Sequence, residues 1–141
     1  MERIPCELSI KIDYTNLSVG EVLLTSQLFT EIEGSLFISL ENKVIFSESG
    51  ILLLELAKQL NDWLKDPQYD FEYYSMDYED GPILFFKRDG IECWKIGSVW
   101  MEEIYSSIDI FEIINASKKF IDKLCRQLHS EEIKFEHLLL K

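Results

Sequence analysis

Residues 71–100 read FEYYSMDYEDGPILFFKRDGIECWKIGSVW, and the fold turns on them. Two turn signals cut the stretch into three. Glu79-Asp80-Gly81-Pro82 is the first. Asp89-Gly90 is the second, a dipeptide suited to the positive backbone angles of a tight hairpin. Before the first turn, Phe71 to Tyr78 is rich in Phe and Tyr, which favour strands. Between the turns, Ile83 to Lys87 is a short apolar strand. From Glu92 to Trp100 the chain alternates, with Trp94, Ile96, Ser98 and Trp100 on one face. This predicts a three-stranded antiparallel meander, since parallel neighbours would need crossovers of about a dozen residues or more.

Downstream, Asp109-Ile110-Phe111-Glu112 has the form of a capping box. The stripe Ile110, Ile113, Ile114, Ser117, Phe120, Ile121, Leu124, Cys125 and Leu128 follows at helical spacing and predicts a long amphipathic helix. The segment from Ser130 to Lys141 is a peripheral tail, one more helical turn or an edge strand. Upstream, Ser47 or Ser49 caps a predicted helix with the stripe Leu52, Leu53, Leu56, Leu60, Trp63 and Leu64, which Pro67 stops. Before it, residues 31–40 alternate with Ile32, Gly34, Leu36, Ile38 and Leu40 on one face. Glu41-Asn42-Lys43 turns the chain into a short returning strand, Val44 to Phe46. Residues 7–14 alternate as well, with Leu8, Ile10, Ile12 and Tyr14 facing inward. Ser18-Val19-Gly20-Glu21 fits a capping box for a short helix to about Leu28. The expectation is therefore an α+β fold, with a mostly antiparallel sheet of five to six strands and two main amphipathic helices on one face. No linker or repeat divides the chain, so residues 1–141 are read as a single domain.

Composition agrees. The chain has 141 residues, the size of one domain. A chain of this length buries roughly 68% of the surface its unfolded form exposes, so it needs neither disulfide nor metal to hold a core. No apolar run exceeds four residues, far short of a membrane span. The opening Met1-Glu2-Arg3-Ile4-Pro5 lacks the basic and apolar regions of a signal peptide, which predicts a cytoplasmic protein. Cys6, Cys93 and Cys125 are odd in number and scattered, which argues against a secreted disulfide framework and for small buried hydrophobes.

No catalytic, cofactor or metal site is expected. The glycines are isolated and form no phosphate loop, and no serine sits in a nucleophile elbow. His129 and His137 could share a helix face near Glu132 or Glu136, but converging ligands at fixed spacing are lacking. Glu132-Ile133-Lys134 resembles half of a nuclease motif without its upstream Asp.

Charge carries more. The net charge is -12, from 26 acids and 14 bases. Such a chain repels phosphate backbones and anionic membranes and attracts a basic protein. From Asp66 to Phe86 there are acids at 66, 70, 72, 77, 79 and 80 and no Lys or Arg. From Ile96 to Ser117 there are acids at 102, 103, 109 and 112, again with no base. Within these stretches Glu72, Tyr74, Asp77, Tyr78, Glu79 and Asp80, extended by Trp100, Glu102, Glu103 and Tyr105, form the candidate partner-binding set. Tyrosine buries much area at low entropic cost, and carboxylates beside it steer a cationic partner. Whether the two stretches are adjacent is left open.

The runs EIEGSLFISLENKVIFSE (31–48), LLLELAKQLNDWL (52–64), DFEYYSMDYEDGPILFFKRDG (70–90) and WKIGSVW (94–100) resemble small acidic bacterial immunity-type proteins of polymorphic-toxin and contact-dependent inhibition systems, as well as uncharacterised bacterial domains of similar size. The resemblance implies an inhibitor that occludes a basic toxin domain, often a nuclease, with no catalytic residues to carry over. The alternatives are a structural or regulatory interaction module, homodimeric through a sheet edge or an aromatic face, and an enzyme of unrecognised type.

Overall fold

The computed structural model describes residues 8–20, 28–90, 93–133 and 135. In chain order the elements are β1 (Ile10–Val19), α1 (Leu28–Glu31), β2 (Ile32–Leu40), β3 (Lys43–Leu52), α2 (Leu53–Trp63), β4 (Phe71–Tyr73), β5 (Leu84–Asp89), β6 (Cys93–Gly97), β7 (Tyr105–Asp109) and α3 (Ile110–Ser130). The α+β class stands. The expected single sheet of five to six strands does not: the described strands form two antiparallel sheets, β1-β2-β3 and β4-β5-β6-β7. The sheets meet where Leu8 bridges Ile108 in parallel and its N–H donates to the Ser107 carbonyl at 3.4 Å. Helix α3 packs on β1, β7 and α2, and α2 packs on β2 and β4.

The first sheet follows from alternation. Ile32, Gly34, Leu36, Ile38 and Leu40 are all buried, as are Ile10, Ile12 and Tyr14 across the ladder. Glu41 and Asn42 take φ of 48° and 68°, the left-handed geometry of a tight two-residue turn. Gly34 is required by packing. A Cβ there would stand 2.6 Å from Leu53 Cδ1, so only glycine lets α2 begin flush against β2.

Three boundaries depart from the sequence reading. Strand β3 continues to Leu52, so Ser47 and Ser49 are strand residues rather than caps. Ser47, Glu48, Ile51 and Leu52 pair with Phe37, Leu36, Gly34 and Glu33, with a bulge at 49–50 where Gly50 takes φ +70°. The ladder bonds won over a serine cap, and α2 starts after Leu52 with no side-chain cap. Ser18 and Val19 likewise belong to β1, paired with Glu33 and Ile32, and do not open a helix. Glu21 and the remainder of that predicted helix up to residue 27 lie outside the described residues. Strand β4 ends at Tyr73 instead of Tyr78, and β7 adds a strand that was not foreseen.

The second sheet otherwise keeps the predicted order, with β5 paired to β4 and β6; Glu92 is outside the described residues. Trp63 of α2 sits among Phe71, Phe86 and Trp94, with ring centroids 5.7, 5.7 and 6.1 Å away, and joins the helix to this sheet. Asp109 precedes α3 as predicted, but its side chain makes no cap bond. The helix buries Ile113, Ala116, Ser117, Phe120, Leu124 and Leu128. Beyond it Phe135 is buried, with its ring edge-on to His129 at 5.2 Å. Lys134, Glu136 and His137 lie outside the described residues. Cys93 is disulfide-bonded, which corrects the expectation that it is only a small buried hydrophobe. Cys125 is a half-buried thiol outside any disulfide, and Cys6 lies outside the described residues. Among the described residues no helix is long and apolar enough to cross a membrane.

Candidate functional site

Helix α2 opens with one acid inside an otherwise apolar run, Leu53-Leu54-Glu55-Leu56-Ala57. Glu55 is buried, and a buried carboxylate needs donors. The segment after β4 supplies them. The Tyr73 hydroxyl donates to Glu55 Oε1 at 2.7 Å and the Met76 N–H to Oε2 at 3.1 Å. One helical turn on, Gln59 donates from Nε2 to the Tyr74 carbonyl at 2.8 Å and accepts from the Tyr74 N–H at 3.3 Å. These bonds satisfy the backbone at 74–76, where a longer β4 would have needed a partner strand. That is the physical reason β4 stops at Tyr73. Burial pushes the Tyr73 phenol far up in pKa, and its bond to Glu55 adds to this.

The loop backbone is thus held from beneath while its side chains point outward. Tyr74 is 53% and Met76 63% exposed. Ser75 is buried, and its Oγ accepts from the Asp77 N–H at 3.2 Å. The expected alternation across 71–78 therefore holds to Met76 and breaks at the exposed Asp77.

The two acid-aromatic stretches are brought together. Val99 N–H donates to the Pro82 carbonyl at 3.0 Å, which ties the turn after β6 to the turn before β5. Tyr78 meets Trp100 edge-on, with centroids 5.0 Å apart and planes at 83°. Trp100 in turn stacks on Phe46 of β3 at 6.5 Å and 19°. The Tyr78 hydroxyl donates to the Gly50 carbonyl at 3.1 Å, in the β3 bulge. Around this aromatic centre Asp77, Glu79, Asp80, Glu102 and Glu103 are exposed, and so is Ile104 at 57%. Burial raises the Tyr78 pKa, and the charges of Asp77, Glu33 and Glu48 raise it further, which puts two carboxylates of the first sheet in the same field.

A groove of about 370 Å³ runs beside this centre, between β3 and the segment 100–105. Ile45, Phe46, Ser47 and Glu48 line one wall, and Trp100, Met101, Glu102, Glu103 and Tyr105 the other, with Lys43 at one end.

Not every predicted residue joins the surface. Glu72 sits on β4, where Lys87 of β5 lies 3.5 Å away, so its charge is met by an ion pair. A stretch without bases in sequence thus gains one from the neighbouring strand. Tyr105 opens β7 and is half-buried at the groove wall. Sequence reasoning missed Phe46, Glu48, Glu55 and Gln59. Only Glu55 left a signal, as a lone acid where every neighbour is apolar.

Among the described residues no group of three or more His, Cys, Asp or Glu could hold a metal ion. A second cleft, of about 360 Å³, lies between β1 and α3. There Lys123 binds Asp13 at 2.5 Å and the Tyr14 carbonyl at 2.9 Å, and stands 4.3 Å over the Tyr14 ring. The Lys123–Asp13 pair crosses the cleft and fastens α3 to β1.

The family described as Domain of unknown function (DUF7878) matches residues 9–130. No curated protein and no solved structure matches.

Proposed function

The chain belongs to the DUF7878 family over most of its length, and we propose that it works by binding a basic protein through the surface centred on Tyr78 and Trp100. The most specific form of this proposal is an immunity-type inhibitor that covers a basic toxin domain such as a nuclease. The observation that carries it is the Tyr78–Trp100 contact, which fuses two acidic stretches into one surface. Exposed Tyr74, Met76 and Ile104 supply apolar area, and the carboxylates at 77, 79, 80, 102 and 103 surround it. An apolar centre within a charged rim is the anatomy of a specific interface. The clamp from Glu55 and Gln59 lowers the ordering cost of docking, because the loop is fixed before the partner arrives.

Photo-crosslinking in cells tests this. A benzophenone amino acid at position 74 or 104 is expected to capture a basic protein that the same group at Asn115, on α3, does not. The purified captured protein should then associate more slowly as salt rises. Capture of an acidic protein, or equal capture at all three positions, overturns the proposal. Capture of a second copy of the chain would replace it with the homodimer.

A further inference from the structure

Resting on that binding role, we infer that the partner enters as an extended basic segment that adds a strand to the free edge of β3. Strand β3 is the last of its sheet, paired on one side with β2. On its other side, residues 44–49 have no backbone partner among the described residues. The groove shows that this edge is accessible. Ile45, Phe46, Ser47 and Glu48 line it in succession. Between the bulges at Ile45 and at 49–50 the side chains of β3 alternate between faces, so Phe46, Ser47 and Glu48 border one groove together where the strand presents its edge.

The ends of the open edge are defined. Beyond Ser49 the Gly50 carbonyl is taken by the Tyr78 hydroxyl at 3.1 Å, which closes the ladder there. The opposite end is the turn at Glu41 and Asn42. The free length from Val44 to Ser49 is about 20 Å at strand rise, enough for a typical strand.

The chemistry of the groove selects the occupant. Trp100, stacked on the buried Phe46, offers the groove a small apolar area within a mostly polar lining. Glu48 stands on one wall and Glu102 and Glu103 on the other, against a single base, Lys43. A strand that alternates apolar and basic residues fits both, with main-chain bonds giving affinity and alternate side chains specificity. A second copy fits worse. The edge of a second copy carries the same Glu48, Glu102 and Glu103 against one base, so pairing through β3 would set two acidic grooves against each other. Exposed edges are commonly guarded by charges and bulges, and here Glu48 and the Gly50 bulge guard against self-pairing while leaving a basic strand welcome.

The probe is a synthetic hexapeptide alternating Lys and Val, added to the full chain with amide exchange followed by NMR. The comparison peptides replace Lys by Glu, or N-methylate alternate amides on either edge. The Lys/Val peptide should slow exchange within residues 44–49 at least fivefold. It should bind at least tenfold more tightly than the Glu/Val peptide and than the one N-methylated form that is blocked on the edge facing β3, while the other N-methylated form binds like the parent. Reversing charge with Glu48→Lys plus Glu102→Lys should weaken it at least tenfold. Equal binding by both N-methylated forms would overturn strand addition yet leave the acidic surface standing. Equal binding by the Glu/Val peptide would overturn both. No binding by any peptide would overturn strand addition alone, since crosslinking from positions 74 and 104 still tests docking of a folded partner. Protection of residues 44–49 that grows with protein concentration and no peptide would make a second copy the occupant.

Discussion

The Tyr78 ring stands edge-on to Trp100 at 5.0 Å, so residues 22 positions apart share one contact at the junction of the two sheets. Edge-to-face pairs contribute about 0.5–1.5 kcal/mol beyond their buried area. A double-mutant cycle of Tyr78→Ala and Trp100→Ala should therefore give a coupling of roughly 0.5–1.5 kcal/mol in chemical denaturation. Tyr78→Phe keeps the ring and loses only the bond to the Gly50 carbonyl, for about 1 kcal/mol. Additive single effects would show that the rings do not support each other.

Glu55 holds two donors at once, and its removal strands both. Glu55→Ala leaves the Tyr73 hydroxyl and the Met76 N–H without an acceptor, for a loss of about 2–4 kcal/mol. Glu55→Gln retains one acceptor oxygen and should fall between the two. The distinguishing measurement is amide exchange at Met76, which should accelerate in both variants more than exchange at β5. Unchanged protection there would mean that the loop is held by other contacts.

How far the sequence foretold this arrangement depends on the range of the interactions. The alternation of Ile32 to Leu40 gave the core face of β2 correctly, because period two is a property of the strand alone. The stripe of α3 was equally local. Helix starts at Ser18 and Ser47 were misread because the competing bonds come from Glu33, Ile32 and Phe37, on another strand. The early end of β4 had the same origin, in Glu55 and Gln59 some 15 to 21 residues away. Acidic and aromatic composition marked the 72–80 and 100–105 stretches, but nothing local said that Tyr78 touches Trp100, or that Glu72 is met by Lys87.

Ser117 lies on the buried stripe of α3, and its Oγ has no hydrogen-bond partner among the described residues. An unsatisfied buried hydroxyl carries a desolvation penalty, and alanine is the better helix former. Ser117→Ala should thus be neutral or stabilising by up to about 1 kcal/mol. Phe120→Ala or Leu124→Ala, one and two turns on, should instead cost about 2–5 kcal/mol. Thermal and urea unfolding of the three variants check the contrast. A destabilised Ser117→Ala would indicate that the hydroxyl has a partner after all.

Tyr14 is buried, and its hydroxyl donates to Gln127 Oε1 at 2.6 Å. Burial pushes its phenol up to about 12, and the Asp13 charge adds to this. The folded protein therefore keeps this proton more tightly than the unfolded chain, where tyrosine titrates near 10. The resulting stability is complete below about pH 10 and is lost as pH rises through about 12. Tyr14→Phe should cost about 1 kcal/mol at neutral pH through the lost bond. It should also make the alkaline fall in stability shallower, without abolishing it, since burial pushes Tyr73 up as well. Urea midpoints at neutral pH and across the alkaline range measure both effects. An unchanged alkaline slope would exclude Tyr14 as its source.

Rim and centre of the binding surface should separate kinetically. Asp77, Glu79 and Asp80 are exposed, and their charges act before contact, over a screening length of about 8 Å at physiological ionic strength. Replacing the three with Asn, Gln and Asn should lower the association rate of the basic partner severalfold and flatten its salt dependence, with little change in dissociation. Tyr74 and Met76 act only after docking, through packed area. Either one changed to Ala should speed dissociation about tenfold or more, matching the loss of 1.4 kcal/mol or more expected of an interface anchor. Glu72, already paired with Lys87, serves as the internal control, and Glu72→Gln should move neither rate by more than a factor of about two. Rates insensitive to salt and to all of these changes would place the interface elsewhere and leave the acidity to solubility alone.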